Sequence, residues 1–250
     1  MLARQQIAVE NATWPLAARS LPATHQAELW LFDLDRHLPP PAAALGPYPA
    51  RRLARHLLLR LLLAAYLALP PRAIRLAHGR HGKPELAGGQ GGCLAFNLSH
   101  TGRWLLVAVA ARGPLGVDLE NTARRIGRPL ALARRYFAAA EYETLAALPP
   151  AERHAAVLRL WTAKEAVVKW HGGGLASGLD RFTIDHGTSC RPGESAVSTV
   201  TEHPADWPGT PRLWSLVPQP GLYAVLAAPP EIGRLVLSRV SGVPIGPSGP

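Results

Sequence analysis

The sequence predicts an α+β fold, and three observations carry that reading. Apolar runs of strand length recur between Gly- and Pro-containing turns, with Pro 25 and Gly 23 in a chain of 250 residues. Longer stretches at 50–68, 130–148 and 151–171 have helical character. The order is strand, helix, hairpin, strand, helices, strands, which departs from the regular alternation of a parallel α/β sheet. No G-x-G-x-x-G or G-x-x-x-x-G-K-[ST] occurs, so neither a dinucleotide fold nor a P-loop is supported.

Taken in order, residues 1–25 read as an irregular arm, and Glu28 to Phe32 as a strand. Pro39-Pro40-Pro41 breaks the chain. The helix over 50–68 places Leu53, Leu57, Leu61 and Ala64 on one face. Arg51, Arg52 and Arg55 crowd its first turns, where the helix dipole disfavours cations; they are either solvated or turned toward an anion. Gly79 to Leu86 is a turn-rich basic loop whose amides could approach a phosphate, and Gly88 to Gly92 reads as a flexible linker. Residues 94–98 and 104–110 form a hairpin closed by Ser99 to Arg103. Gly113-Pro114 turns the chain into a strand over 115–120.

The helical stretch 130–148 has a break near Phe137-Ala138. Pro149-Pro150 precedes the helix 151–171, and Gly172-Gly173-Gly174 stops it. Strands follow at 180–185, 212–217, 222–227 and 234–240. The polar stretch 186–211 reads as a surface loop and 242–250 as a mobile tail.

With 27 Lys+Arg against 17 Asp+Glu, the net charge is +10, which favours a polyanionic partner. Cys93 and Cys190 show neither zinc spacing nor C-x-x-C and read as buried free thiols in a reducing compartment. The N-terminus lacks an apolar signal stretch, and the run Leu57 to Leu69 is too short to span a bilayer, so a soluble cytoplasmic protein is expected.

Two acidic clusters stand out. In Gly116-Val117-Asp118-Leu119-Glu120, strand alternation sends Asp118 and Glu120 to one face and Val117 and Leu119 to the other. On the long helix, Trp161, Lys164, Glu165, Val168 and Lys169 share a face. Three carboxylates flanked by ammonium groups suit a Mg²⁺ site acting on a phosphate ester or anhydride. Each piece alone also has an ordinary reading: a solvated strand face, a helix-surface ion pair, a turn histidine at His100.

Together, Gly82-Lys83-Pro84, Phe96-Asn97-Leu98-Ser99-His100-Thr101-Gly102, Gly116 to Glu120, and Trp161 to Leu175 in the pattern WxxKEAxxKxxGxGL resemble the surfactin-synthetase-type 4′-phosphopantetheinyl transferases. The resemblance covers roughly residues 50–185. It implies two pseudo-twofold-related α+β halves in one chain, 1–113 and 114–241, with coenzyme A bound between them. It implies transfer of the 4′-phosphopantetheine arm of coenzyme A to a serine of an apo acyl or peptidyl carrier protein, releasing adenosine 3′,5′-bisphosphate.

On this resemblance Asp118, Glu120 and Glu165 would hold Mg²⁺, or Mn²⁺, which oxygen ligands also accept. Glu165 is the expected base, with Asp118 and Lys169 beside it in the catalytic set. Arg51, nine residues before Arg60, would bind the 3′-phosphate. Asn97, Ser99, His100, Lys164 and Lys169 join the substrate-binding set, and Gly82, Lys83 and Pro84 would line the adenine–ribose pocket. Some members carry lysines ahead of the first helix; this chain has none before Lys83, leaving Arg36 and His37 in that region.

The expected partners are coenzyme A and an acidic carrier, with no nucleic acid or membrane and a monomeric enzyme. A Mg²⁺-dependent phosphohydrolase and a basic nucleic-acid-binding module are the alternatives; the second leaves the three carboxylates unexplained.

Overall fold

A computed structural model describes residues 4–13, 16–37, 46–79, 81–174, 178–185, 192, 194–205, 207 and 209–241. The Pro39-Pro40-Pro41 break, Leu175, Cys190 and the expected tail 242–250 lie outside them.

Two sheets pack face to face, each with a long helix on its outer side. The first has the order β2-β13-β3-β7-β6, from β2 (Ala8–Thr13), β13 (Arg234–Ser241), β3 (Gln26–Asp33), β7 (Trp104–Ala110) and β6 (Ala95–Thr101). The second runs β1-β10-β11-β12-β8, from β1 (Arg4–Gln6), β10 (Glu194–Glu202), β11 (Arg212–Leu216), β12 (Leu222–Ala228) and β8 (Gly116–Asn121), with β9 (Thr183–Ile184) pairing β10. A small ladder joins β4 (Leu76–His78) to β5 (Pro84–Leu86).

Alternation along the strands builds the layers. Leu29, Leu31, Leu106 and Ala108 meet Val117, Leu119, Ala224 and Leu226 between the sheets. The opposite faces carry Trp30, Phe32, Leu105 and Val107, which pack on α1 (Pro47–Leu67). Val225 and Ala227 of the second sheet pack on α4 (Pro150–His171), with α2 (Pro129–Tyr136) and α3 (Ala139–Ala147) beside it. The α+β class and the break between α2 and α3 stand as read from the sequence.

Several expectations are corrected. The arm over 1–25 contains β1 and β2, and the stretch read as a loop over 186–211 contains β10. On α1 the buried face is Ala54, Leu58, Leu62 and Leu63, whereas Leu53 is exposed. Of the expected stripe, Ala64 is buried and Leu61 packs against the core, so the leucine spacing placed the stripe off-centre on a helix with apolar residues on most of its circumference. Cys93 is exposed, and Gly88–Gln90 forms a 3-10 turn. The chain's ends tie the two sheets together: β13 inserts parallel between β2 and β3, while β1 pairs with β10. Among the described residues no helix is long and apolar enough to cross a membrane.

Candidate active site

The edge strands β6 and β8 come from different sheets and meet side by side. Asn97 bridges them, its Oδ1 accepting the Val117 N–H at 2.8 Å. Helix α4 then lies directly on β8, because Gly116 has no side chain: a Cβ there would fall 2.0 Å from Ala166 O and 2.3 Å from Trp170 N. This contact sets which residues of β8 and α4 face each other. Val117 and Leu119 point into the core between the sheets, so Asp118 and Glu120 must point toward α4.

Lys169 Nζ donates to Asp118 Oδ1 at 2.7 Å and to Val117 O at 3.1 Å. Ser99 Oγ donates to the same Asp118 oxygen at 2.8 Å. Glu120 is ion-paired with Arg124, a residue not singled out from the sequence. The pair spans a strand and the turn after it, so the i+4 spacing carried no helical signal. Glu165 lines a cavity of about 460 Å³ with Lys169, Val168, Asn97, Leu98, His81, Gly82, Lys83 and Pro84. Burial raises the Glu165 carboxyl above its ordinary range, and the Asp118 charge adds to that. Burial likewise raises Glu120; Arg124 opposes the shift and Asp118 reinforces it.

Among the described residues no three His, Cys, Asp or Glu side chains stand close enough to form a ready metal site. Asp118 and Glu120 are instead held by Lys169 and Arg124. The donor chemistry nonetheless fits a hard divalent cation. Three carboxylates repel one another in a partly dehydrated cleft, and two are pushed toward protonation, a cost that a cation would relieve.

Other predicted residues lie elsewhere. Lys164 does not reach the cleft. It is fully buried, pairs with Glu141 at 2.7 Å and donates to Leu179 O and Phe182 O at 2.7 and 2.6 Å. Its ammonium also sits 4.3 Å from the Phe182 ring centroid. The expected face of α4 spans a broad arc with Lys164 and Lys169 at its two borders, and the structure splits it: Lys164 turns toward α3, while Glu165 and Lys169 turn toward β8.

Arg51 is not among the residues lining the cavity; its guanidinium grips Asp35 through Nε and Nη2 at 2.7 and 2.9 Å. His100 is exposed at the end of β6, electrostatically close to Arg55, Lys169 and Asp118. Lys83 lines the cavity, but its ammonium is spent on Leu115 O and Lys169 O, each at 2.8 Å. His81 was missed as a lining residue; its ring packs against Gly174, whose φ of +65° favours glycine.

Comparison with known proteins places the chain in a family. Residues 114–210 match the 4′-phosphopantetheinyl transferase superfamily. The chain is similar, at 34% identity over 176 residues, to the Synechocystis sp. protein slr0495, whose name assigns it provisionally as a 4′-phosphopantetheinyl transferase. That match covers 64% of this chain and 70% of the relative. The 4′-phosphopantetheinyl transferase Sfp of Bacillus subtilis is 32% identical over 54% of this chain and 57% of its own length. The 4′-phosphopantetheinyl transferase HetI of Nostoc sp. is 37% identical over 48% of this chain and 50% of its own length. The chain thus spans about half the length of the latter two.

Proposed function

The chain belongs to the 4′-phosphopantetheinyl transferase superfamily, and we propose that it transfers the 4′-phosphopantetheine arm of coenzyme A to a serine hydroxyl of an apo carrier protein. The observation carrying this reading is the seam where Glu165 and Lys169 of α4 face Asp118 of β8 beside a cavity of about 460 Å³. A new bond forms between the serine oxygen and the phosphorus carrying the pantetheine arm. The anhydride bond breaks, and adenosine 3′,5′-bisphosphate leaves with the bonding pair.

Glu165 accepts the serine proton. A carboxylate held above its ordinary range is a stronger base near neutral pH than an exposed glutamate. Lys169, already beside Asp118, supplies positive charge where the pyrophosphate would accumulate negative charge. Asp118 orients Lys169, and Ser99 in turn fixes Asp118. Arg55 extends the positive field at the end of β6, while partial burial and the neighbouring Arg55 and Lys169 charges push the His100 imidazole below its ordinary range and favour its neutral form. Asp118, Glu120 and Glu165 would hold Mg²⁺, which when bound supplies charge neutralisation of the pyrophosphate. The partner would be an acidic acyl or peptidyl carrier, drawn by the +10 charge.

The test is release of adenosine 3′,5′-bisphosphate from coenzyme A with and without an apo carrier, for the native protein and Glu165→Gln. Carrier-dependent release that Glu165→Gln abolishes supports transfer. Equal release without a carrier would mean hydrolysis, and an active Glu165→Gln variant would remove Glu165 as the base.

A further inference from the structure

Lys83 comes from the loop after Gly82 and reaches across to two backbone carbonyls. One, Leu115 O, immediately precedes Gly116 and β8; the other, Lys169 O, lies in the last turn of α4. Because α4 ends at His171, its final carbonyls have no helical N–H to accept from. An ammonium at that end satisfies one of them and meets the negative pole of the helix dipole.

The two carbonyls flank the place where α4 rests on the bare backbone of Gly116. On one side of this crossing stand Asp118 and Glu120, on the other Glu165 and Lys169. Lys83 and Pro84 also form a shared wall between the cavity of about 460 Å³ and a neighbouring one of about 680 Å³. A side chain so placed has two of its three donors committed to the main chain and has little left to offer a ligand.

We propose that Lys83 is a positioning residue, whose ammonium pins the last turn of α4 to the start of β8 and so sets the spacing of Glu165 and Lys169 from Asp118 and Glu120. The inference deepens the transferase reading above and rests on it for its catalytic consequence; its structural half stands alone. Burial lowers the Lys83 ammonium below its ordinary range, in keeping with a group held away from bulk water.

The experiment compares the native chain, Lys83→Met and Lys83→Arg by hydrogen exchange and by transfer kinetics on a carrier. Lys83→Met keeps the stem and removes the donors. It is expected to speed exchange of the amides in the last turn of α4, leaving the β3–β7 core protected. It is also expected to lower kcat by about 100-fold, as a misplacement of about 1 Å does, with KM for coenzyme A nearly unchanged. Lys83→Arg, which keeps charge and donors, should recover most of kcat.

Unaltered exchange in Lys83→Met overturns the proposal, and so does a raised KM with kcat intact, which would make Lys83 a ligand contact. Should Lys83→Met not fold, Lys83→Gln takes the same measurements with the same expected and overturning results. If the native chain transfers nothing, the functional reading fails, and the exchange arm alone decides the positioning claim.

Discussion

Replacing Lys164 by methionine separates the buried role found here from the substrate contact expected of a lysine beside Glu165. The methionine fills most of the stem volume, so the change removes donors and charge and opens little cavity. Leu179 O and Phe182 O lose their donor, and Glu141 keeps only the Ile184 and Ala138 amides. Removing one partner of a buried ion pair costs about 3–5 kcal/mol, a figure that overlaps the cost of the two stranded carbonyls. Against a domain stability of about 5–15 kcal/mol this is a large fraction. At about 2–4 °C per kcal/mol for a chain of this size, the expected fall in Tm is about 6–20 °C. The assay is thermal and urea unfolding of both proteins, with transfer kinetics at a temperature where each is folded. Lys164→Met should be much less stable yet retain a near-native KM for coenzyme A. A Tm within about 2 °C of native, joined to a KM raised tenfold or more, would refute the reasoning and return Lys164 to the substrate.

Gly116→Ala should disrupt both fold and transfer, because its Cβ meets the backbone of α4, which cannot swing aside; a native-like circular dichroism spectrum and native activity would contradict the close approach. Tyr66 donates to Glu28 at 2.5 Å, and burial together with that carboxylate pushes its phenol well above the ordinary range. Folded chains therefore keep this proton to a higher pH than unfolded ones, so stability falls as pH rises past about 10, by about 1.4 kcal/mol at pH 11. Urea midpoints at pH 8 and 11 should converge in Tyr66→Phe relative to native, and an equal fall in both proteins would show that Tyr66 titrates normally. Raising ionic strength should weaken the apparent carrier affinity, since the attraction attributed to the +10 surface is screened; an unchanged KM for the carrier would discard that steering.

The side of β8 on which Asp118 and Glu120 stand was legible in the sequence because its signals are local. Strand alternation alone sends Asp118 and Glu120 to one side, and the glycine run marks the end of α4. The bounds of β7 follow from an uninterrupted apolar run between turn residues. Long-range features were not legible. Strand β2 is half polar and largely exposed, and among the described residues it pairs with β13, over two hundred residues away. Strand β10 is rich in Ser and Thr, and its burial comes from pairing with β11. The roles of Lys83, Lys164 and Arg51 depend on which carbonyls or carboxylates other elements bring near them, and no spacing within the chain encodes that.

Intact-mass spectrometry of an apo carrier protein incubated with this protein, coenzyme A and Mg²⁺, beside an EDTA control, tests the central claim most directly. The account predicts a gain of one phosphopantetheine arm per carrier domain with the metal and none with EDTA. No gain across several acyl and peptidyl carriers would contradict transferase activity, and an equal gain in EDTA would contradict a metal held by Asp118, Glu120 and Glu165.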